Sequence, residues 1–105
     1  MTPYEVFFAP EAGDQLEELF LYIAGQTSAT TARRYTSGIV AYCESTFPKR
    51  GAMRDDIRPG LRTTHYKGRT VIAFAVDDAA MQVSILGVFY GGRDYAAALA
   101  APPGN

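Results

Sequence analysis

Residues 61–76, LRTTHYKGRTVIAFAV, contain the strand and turn pattern from which the fold is predicted. Lys67 and Gly68 form a tight-turn pair between two stretches rich in β-branched and aromatic residues, which predicts a β-hairpin. Every position from 71 to 76 is apolar, so this strand is expected inside a sheet with both faces at least partly covered. A third strand is expected after the turn residues Asp77–Ala80. The strands predicted in this half are 61–66, 69–76 and 81–90.

The N-terminal half is predicted to supply first a strand and then a helix. Tyr4–Phe8 is aromatic and β-branched and stops before Pro10, which is typical of a short strand. From Glu11 onward apolar residues recur at helical spacing, and the acidic first turn favours a helix N-terminus. Gly25 is expected to end this helix. Its apolar stripe consists of Leu16, Leu19, Phe20 and Ile23.

A second helix is predicted after Ser28, a residue type that caps helix N-termini. It is expected to end before Pro48 and to form an antiparallel hairpin with the first helix. Gly38 in its middle costs about 1 kcal/mol relative to Ala, so it marks either a weak point or a close packing contact. The predicted stripe is Ala32, Tyr35, Ile39, Tyr42 or Cys43, and Thr46 or Phe47.

The element order β-α-α-β-β-β predicts an α+β fold of two layers, in which the antiparallel helical hairpin covers a sheet. The last three strands are expected to form an antiparallel sheet that the N-terminal strand joins. A chain of 105 residues has the size of one domain, so we expect a single unit over 1–105. Asp94–Leu99 is expected to form a short helical turn, and about 96–105 a loose tail.

Composition excludes several classes of protein. Hydrophobic residues make up 48% of the chain and charged residues 20%, which excludes a disordered protein. A net charge of −1 argues against a domain that grips nucleic acid by charge alone. Cys43 is the single cysteine and no Cys/His cluster accompanies it, so no disulfide, metal site or cofactor is expected. The first ten residues lack a secretory signal, which predicts a cytoplasmic protein.

Two further residue groups invite a functional interpretation. Arg58 and Arg62 lie four residues apart around a Pro-Gly turn, where their forked donors suit a carboxylate or phosphate on a partner. The alternative is a surface pair balanced by Asp55 and Asp56. His65, the only histidine, alternates with Leu61 and Thr63, and we expect it to be packed or hydrogen-bonded at the sheet margin rather than catalytic.

Four segments of the chain resemble toxins of the RelE/ParE superfamily, and its ParE-like branch in particular. Together they span most of positions 4–95, in the order and with the spacings of the family. The segments are the opening strand Tyr4–Phe8 with Pro10-Glu11-Ala12 after it, residues 56–62 (DIRPGLR), residues 68–74 (GRTVIAF) and residues 85–94 (ILGVFYGGRD).

The resemblance implies a type II toxin encoded beside a small antitoxin whose C-terminal segment wraps over the hairpin and sheet. ParE-like members are described as poisoning DNA gyrase, whereas RelE-like relatives cleave mRNA in the ribosomal A site. The fold does not choose between these activities. We interpret the chain as a gyrase inhibitor that acts by protein binding and is neutralised by a ParD-like antitoxin. A ribosome-dependent mRNA interferase and a non-toxic antitoxin-binding relative are the alternatives.

Two candidate sites follow from this interpretation. RNA cleavage needs an acid, a base and cations around the phosphate, and the chain offers only part of such a set. Lysines are scarce, and Tyr90 stands where many relatives carry His. The predicted target-binding residues, which are also the catalytic candidates if the chain is a nuclease, are Arg58, Arg62, Tyr90 and Arg93. The predicted antitoxin-binding residues, which the pattern does not separate from the core, are Leu16, Leu19, Phe20, Tyr35 and Tyr42.

Overall fold

The computed structural model describes residues 4–45 and 51–91. The predictions for Asp94–Leu99, for the 96–105 tail and for the end of the second helix lie outside these residues. A helical hairpin packs on a five-stranded sheet, so the predicted two-layer α+β fold is confirmed. The elements in chain order are β1 (Glu5–Phe8), α1 (Pro10–Gln26), α2 (Ala29–Ser45), β2 (Ala52–Met53), β3 (Leu61–Tyr66), β4 (Thr70–Asp77) and β5 (Gln82–Tyr90).

The helix ends follow from local chemistry. Pro10 opens α1, where its missing N–H costs nothing because the first-turn N–H groups have no partner within the helix. The helix passes through Gly25, its predicted end, and stops where the Thr27 N–H and hydroxyl both donate to the Ile23 carbonyl, at 2.8 and 3.0 Å. Ser28 caps α2 as predicted, with its Oγ accepting from the Thr31 N–H at 3.1 Å. Within the described part of the chain, neither helix is long and apolar enough to cross a membrane.

Gly38 permits a close contact between α2 and the sheet. The helix is continuous through this position. A Cβ atom added at Gly38 would collide with the hydroxyl of Tyr66 on β3. Of the two meanings that the sequence left open for this glycine, the close packing contact is confirmed.

The sheet has the strand order β1-β5-β4-β3-β2. The predicted hairpin is confirmed: β3 and β4 pair antiparallel, and Lys67 and Gly68 both have the positive φ values, 53° and 74°, of a type I′ turn. β1 pairs parallel with β5, so the sheet is mixed rather than wholly antiparallel. β2 was not predicted, because its two residues are too few to form an alternating pattern.

Both faces of the central strand are covered, as its unbroken apolar sequence predicts. Ile72 and Phe74 of β4 face the helices and are about 1% exposed. Ala73, on the opposite face, packs in a second cluster with Leu61 and Phe89. That cluster also includes Ile57 from the loop before β3, which explains how the face without helices is closed there.

His65 departs from its prediction. Its strand neighbours on the same face, Leu61 and Thr63, are buried, but His65 itself is exposed. The loop residue Ile57 packs at Leu61, and β2 pairs only with positions 62 and 63. The expectation of a packed histidine is wrong, because His65 is exposed and Ile57, which packs at Leu61, does not cover it.

Candidate functional site

The predicted target-binding residues do not form one cluster. Arg58 precedes β3 and Arg62 lies near its start, whereas Tyr90 ends β5. Arg62 pairs with Phe74 and Tyr90 pairs with Thr70, four residues away along β4. Arg62 and Tyr90 are therefore about 13 Å apart along the strand direction. Across the sheet they are two strands apart, at roughly 4.8 Å per strand. The fourth member, at position 93, lies outside the described residues.

The acidic residues beside the arginine pair have other partners. Asp56 forms a two-pronged ion pair with Arg54, with both N···O distances at 3.0 Å. The hydrogen bonds from the Arg54 guanidinium lower the pKa of the Asp56 carboxyl. Asp55 accepts a hydrogen bond from the Gly60 N–H at 2.8 Å. These contacts shape the loop, so Asp55 and Asp56 are not simply the counter-charges of Arg58 and Arg62.

Tyr90 belongs to a tyrosine cluster at the other end of the sheet. Successive ring centroids lie 5.4 to 6.0 Å apart, and the rings meet tilted or edge-on. Such edge contacts stabilise packing and do not present a flat stacking platform. The cluster joins both helices to β3 and β5 and consists, in contact order, of Tyr22, Tyr90, Tyr35, Tyr66 and Tyr42.

Two hydroxyl groups of the tyrosine cluster are tied to threonines of the sheet. Tyr35 Oη and Thr70 Oγ1 hydrogen-bond at 2.7 Å, and Tyr42 Oη and Thr64 Oγ1 at 3.0 Å. Burial raises the pKa of Tyr35, although its hydrogen bond with Thr70 acts in the opposite direction. Tyr35 and Tyr42 therefore face the sheet, where they connect α2 to β4 and β3.

A groove opens beside Tyr90 between α1 and the end of β5, and we call it the α1–β5 groove. Its volume is about 450 Å³. Tyr22 and Leu19 line it from α1, and Arg69 stands at the end where β4 begins. The groove thus combines apolar and aromatic walls with a cation. Its described lining residues are Gln15, Glu18, Leu19, Tyr22, Arg69, Val88, Tyr90 and Gly91.

An irregularity in β5 forms one side of this groove. Ala73 pairs with Gly87 and Phe74 pairs with Ile85, so Leu86 is an extra residue, a β-bulge. The Val88 N–H donates to Oε1 of Gln15 on α1 at 2.7 Å, where a strand partner would normally accept. Gln15 thus satisfies a backbone donor that the sheet leaves without a ladder partner.

A second groove runs between the two helices on the side away from the sheet, and we call it the hairpin groove. Leu16 and Phe20 line it from α1, and Arg33 lies over the Phe20 ring with its guanidinium carbon 5.6 Å from the centroid. Of the predicted antitoxin-binding residues, these two reach the hairpin groove. Leu19, Tyr35 and Tyr42 face the sheet side instead, and the exposed fraction of Leu19 is 6%.

Cys43 shows no sign of chemical reactivity. It is 1% exposed on the sheet-facing side of α2, and burial raises the pKa of its thiol to about 12. A thiol that stays protonated at neutral pH is a poor nucleophile. Cys43 thus packs as a small buried hydrophobic residue on the stripe that helical spacing predicted for α2. Among residues 4–45 and 51–91, no group of three His, Cys, Asp or Glu side chains is arranged to hold a metal ion.

Comparison with known protein families shows to which family the chain belongs. The sequence model described as the ParE toxin of the type II toxin–antitoxin system parDE matches residues 6–95. This chain belongs to the ParE toxin family. The match covers both helices and every strand except the first residue of β1. No curated protein matches the chain in sequence.

Solved structures share the fold of this ParE-family chain. The RelBE2 toxin–antitoxin complex from Mycobacterium tuberculosis is 22% identical with a TM-score of 0.64, covering 89% of this chain and 97% of that one. A chromosomal ParDE system from P. aeruginosa gives 17%, a TM-score of 0.69, and coverage of 87% and 99%. The isolated E. coli RelE toxin gives 17%, 0.54, and coverage of 91% and 95%. The neighbours thus include both ParE-type and RelE-type toxins.

Sequence reasoning missed two residues of the α1–β5 groove in this ParE-family chain. Arg69 was placed at the start of a strand, without the information that this strand end lies beside Tyr90. Gln15 lies between the buried Ala12 and Leu19 at helical spacing, and a polar residue on such an inward face is a signal of a buried hydrogen bond. Its partner on β5 is 73 positions away and is revealed only by the fold.

Proposed function

We propose that this ParE-family toxin inhibits DNA gyrase by protein binding and is held inactive by a cognate ParD-like antitoxin. The observation that carries the proposal is the match to the ParE toxin family over residues 6–95. An antitoxin partner is consistent with the similar solved structures, several of which are toxin–antitoxin complexes. Both proposed partners are cytoplasmic, so we place the toxin there as well.

The distribution of cations supports binding over catalysis. Phosphodiester cleavage requires an acid, a base and cations around one phosphate. In the register of the sheet, Arg62 lies about 13 Å along the strands from Tyr90, so the two side chains are not grouped around one point. A pair of forked guanidinium groups beside an exposed loop suits carboxylates on a protein surface. We therefore assign Arg58 and Arg62 to the gyrase-binding surface.

One observation favours a second candidate, a RelE-like ribosome-dependent mRNA interferase. Arg69 and Tyr90 both line the α1–β5 groove, where a guanidinium and a phenol meet in a space of about 450 Å³. An arginine there would hold a phosphate and a tyrosine would protonate a leaving oxygen. This route uses Arg69 and Tyr90 and leaves Arg58 and Arg62 without a role in the chemistry.

The two candidates are separated by inducing the chain alone in a bacterial host and following DNA-damage signalling and translation separately. Gyrase poisoning predicts filamentation and damage signalling while translation continues. Early translation arrest with cut mRNA would replace this proposal with the interferase. Unaffected growth would leave a non-toxic antitoxin-binding relative.

Four matched variants show which end of the sheet is responsible for toxicity. We expect the double variant Arg58→Gln/Arg62→Gln to weaken toxicity at least tenfold, because each charged hydrogen bond lost is worth about 1.5–3 kcal/mol. Arg69→Gln and Tyr90→Phe are expected to leave gyrase inhibition intact. Arg34→Gln, on an exposed position of α2, is the control. The opposite pattern, with only Arg69→Gln and Tyr90→Phe inactive, would favour the interferase.

A further inference from the structure

The connection between β2 and β3 is closed by hydrogen bonds among its own backbone groups. The Arg54 N–H donates to the Leu61 carbonyl at 2.7 Å, which joins the two ends of the connection. The Arg54 carbonyl accepts from the N–H groups of Ile57 and Arg58 at 3.0 and 3.2 Å. Residues 54–61, which we call the 54–61 loop, are therefore a compact closed loop.

The tip of the 54–61 loop is a tight turn that begins at Arg58. The Leu61 N–H donates to the Arg58 carbonyl at 3.1 Å, and Gly60 has a φ of 80°. Proline at the second position and a glycine of positive φ at the third are the pattern of a type II turn. Pro59 fixes its own φ and restricts the backbone of the residue before it. The backbone that carries Arg58 therefore has few alternative conformations.

Side chains fasten the 54–61 loop to itself and to the sheet. Oδ1 of Asp55 accepts from the Gly60 N–H at 2.8 Å, a bond that spans the loop. The guanidinium of Arg54 and the carboxylate of Asp56 form their two-pronged ion pair at its base. Ile57 packs against the buried cluster on the sheet face that carries no helices. The loop is thus ordered without any contribution from the Arg58 side chain.

The Arg58 side chain is left available for a partner molecule. It is half-buried, and within residues 4–45 and 51–91 its guanidinium makes no hydrogen bond or ion pair. The nearby carboxylates of Asp55 and Asp56 are directed to Gly60 and Arg54 instead. A guanidinium held on an ordered backbone can form a two-pronged pair with a carboxylate on another protein.

We infer that the 54–61 loop is a pre-organised recognition element for the protein target, in which the Asp55–Gly60 hydrogen bond holds Arg58 in its binding position. Asp55 is then a positioning residue that acts through Arg58. This inference rests on the proposed function, since the target is taken to be gyrase. A loop that is ordered before it binds loses less conformational entropy on binding, and its affinity is higher for that reason.

Two variants of Asp55 separate its hydrogen bond from its charge. Asp55→Ala removes both, whereas Asp55→Asn removes the charge and keeps an oxygen that accepts from the Gly60 N–H. In a supercoiling assay with purified gyrase, we expect Asp55→Ala to need about five times the wild-type dose for half inhibition. Asp55→Asn should recover most of this loss. Amide hydrogen exchange at Gly60 should become faster in Asp55→Ala only. Equal inhibition by the two variants would overturn the inference.

A double-mutant cycle shows whether Asp55 acts through Arg58. Arg58→Gln removes the guanidinium and keeps the backbone hydrogen bonds of the loop. In the Arg58→Gln background, Asp55→Ala should cause no further loss of inhibition, because the group that it positions is absent. Losses that multiply in the double variant would show that Asp55 contributes separately, and the positioning role would be refuted.

A second pair of variants disturbs the loop backbone without changing a charge. Gly60 and Gly68 have φ values of 80° and 74°, and neither would have an atom within 4 Å of an added Cβ, so alanine strains both turns alike. We expect Gly60→Ala to weaken gyrase inhibition about fivefold, since the strained turn is less populated. Gly68→Ala, in the β3–β4 turn, is the matched control and should inhibit like the wild type. The same loss of inhibition in both would contradict the inference.

The wild-type chain in the same assay separates this inference from the proposed function. If the wild type inhibits supercoiling and the Asp55 and Gly60 variants inhibit equally well, only the role of the loop is refuted. A wild-type chain that leaves gyrase active at every dose would refute the proposed target, and the loop inference with it.

Discussion

At the scale of single residues, the Tyr35–Thr70 hydrogen bond gives the most direct stability test. Thr70 has no exposed surface, and its hydroxyl lies 2.7 Å from that of Tyr35. Tyr35→Phe leaves a buried hydroxyl without this partner, so we expect the free energy of unfolding to fall by about 1–2 kcal/mol. Urea denaturation measures the change.

The double variant Tyr35→Phe/Thr70→Val is the control for that prediction. It removes both polar partners and keeps the shapes of the side chains, so it should be more stable than Tyr35→Phe alone. A single variant as stable as the wild type would show that the hydroxyl pair contributes nothing.

The sequence predicted which way individual side chains face, but it did not predict which part of the molecule covers them. Helical spacing correctly grouped Leu19, Tyr35 and Tyr42 with apolar faces, but periodicity gives only the direction of a side chain. Whether a sheet or a partner protein covers that face depends on residues far away in sequence. For Tyr35 and Tyr42 the decisive neighbours are threonines of β4 and β3.

At the scale of elements, the packing of α2 on the sheet depends on Gly38. Alanine there gains up to about 1 kcal/mol of helix propensity. The added methyl group collides with the Tyr66 hydroxyl, and overpacking of this kind costs about 1–3 kcal/mol. We therefore expect Gly38→Ala to lower the free energy of unfolding.

Two variants in the same denaturation experiment test this explanation. Gly13→Ala in α1 meets nothing within 4 Å of the new Cβ, so it should be stabilising by up to about 1 kcal/mol. Adding Tyr66→Phe to Gly38→Ala removes the colliding oxygen and should recover part of the loss. Stabilisation by Gly38→Ala itself would contradict the packing described for α2.

Elements with a strong local sequence pattern were predicted correctly, whereas pairings between distant strands were not. The β3–β4 hairpin follows from its turn pair and flanking strands, and the capping of α2 follows from Ser28. The parallel pairing of β1 with β5 joins residues almost eighty positions apart, and no local pattern specifies its direction. β2 is defined by its partner β3 alone, since two residues have no periodicity of their own.

At the scale of the whole molecule, the order of strands separates residues that the sequence brought together. Arg58 and Arg62 were grouped with Tyr90 because arginines could hold a phosphate and a tyrosine could act as an acid. The antiparallel course of β3, β4 and β5 puts the start of β3 and the end of β5 at opposite ends of the sheet. The same topology brings Arg69 to Tyr90, which sequence spacing did not predict.

A supercoiling assay with purified components tests the proposal that this ParE-family toxin binds gyrase. The chain alone is added to DNA gyrase and relaxed plasmid, and then again after mixing with its antitoxin. We expect dose-dependent loss of supercoiling that the antitoxin reverses. Full supercoiling at every dose, together with mRNA cleavage when the same preparation is added to a translation reaction, would contradict it.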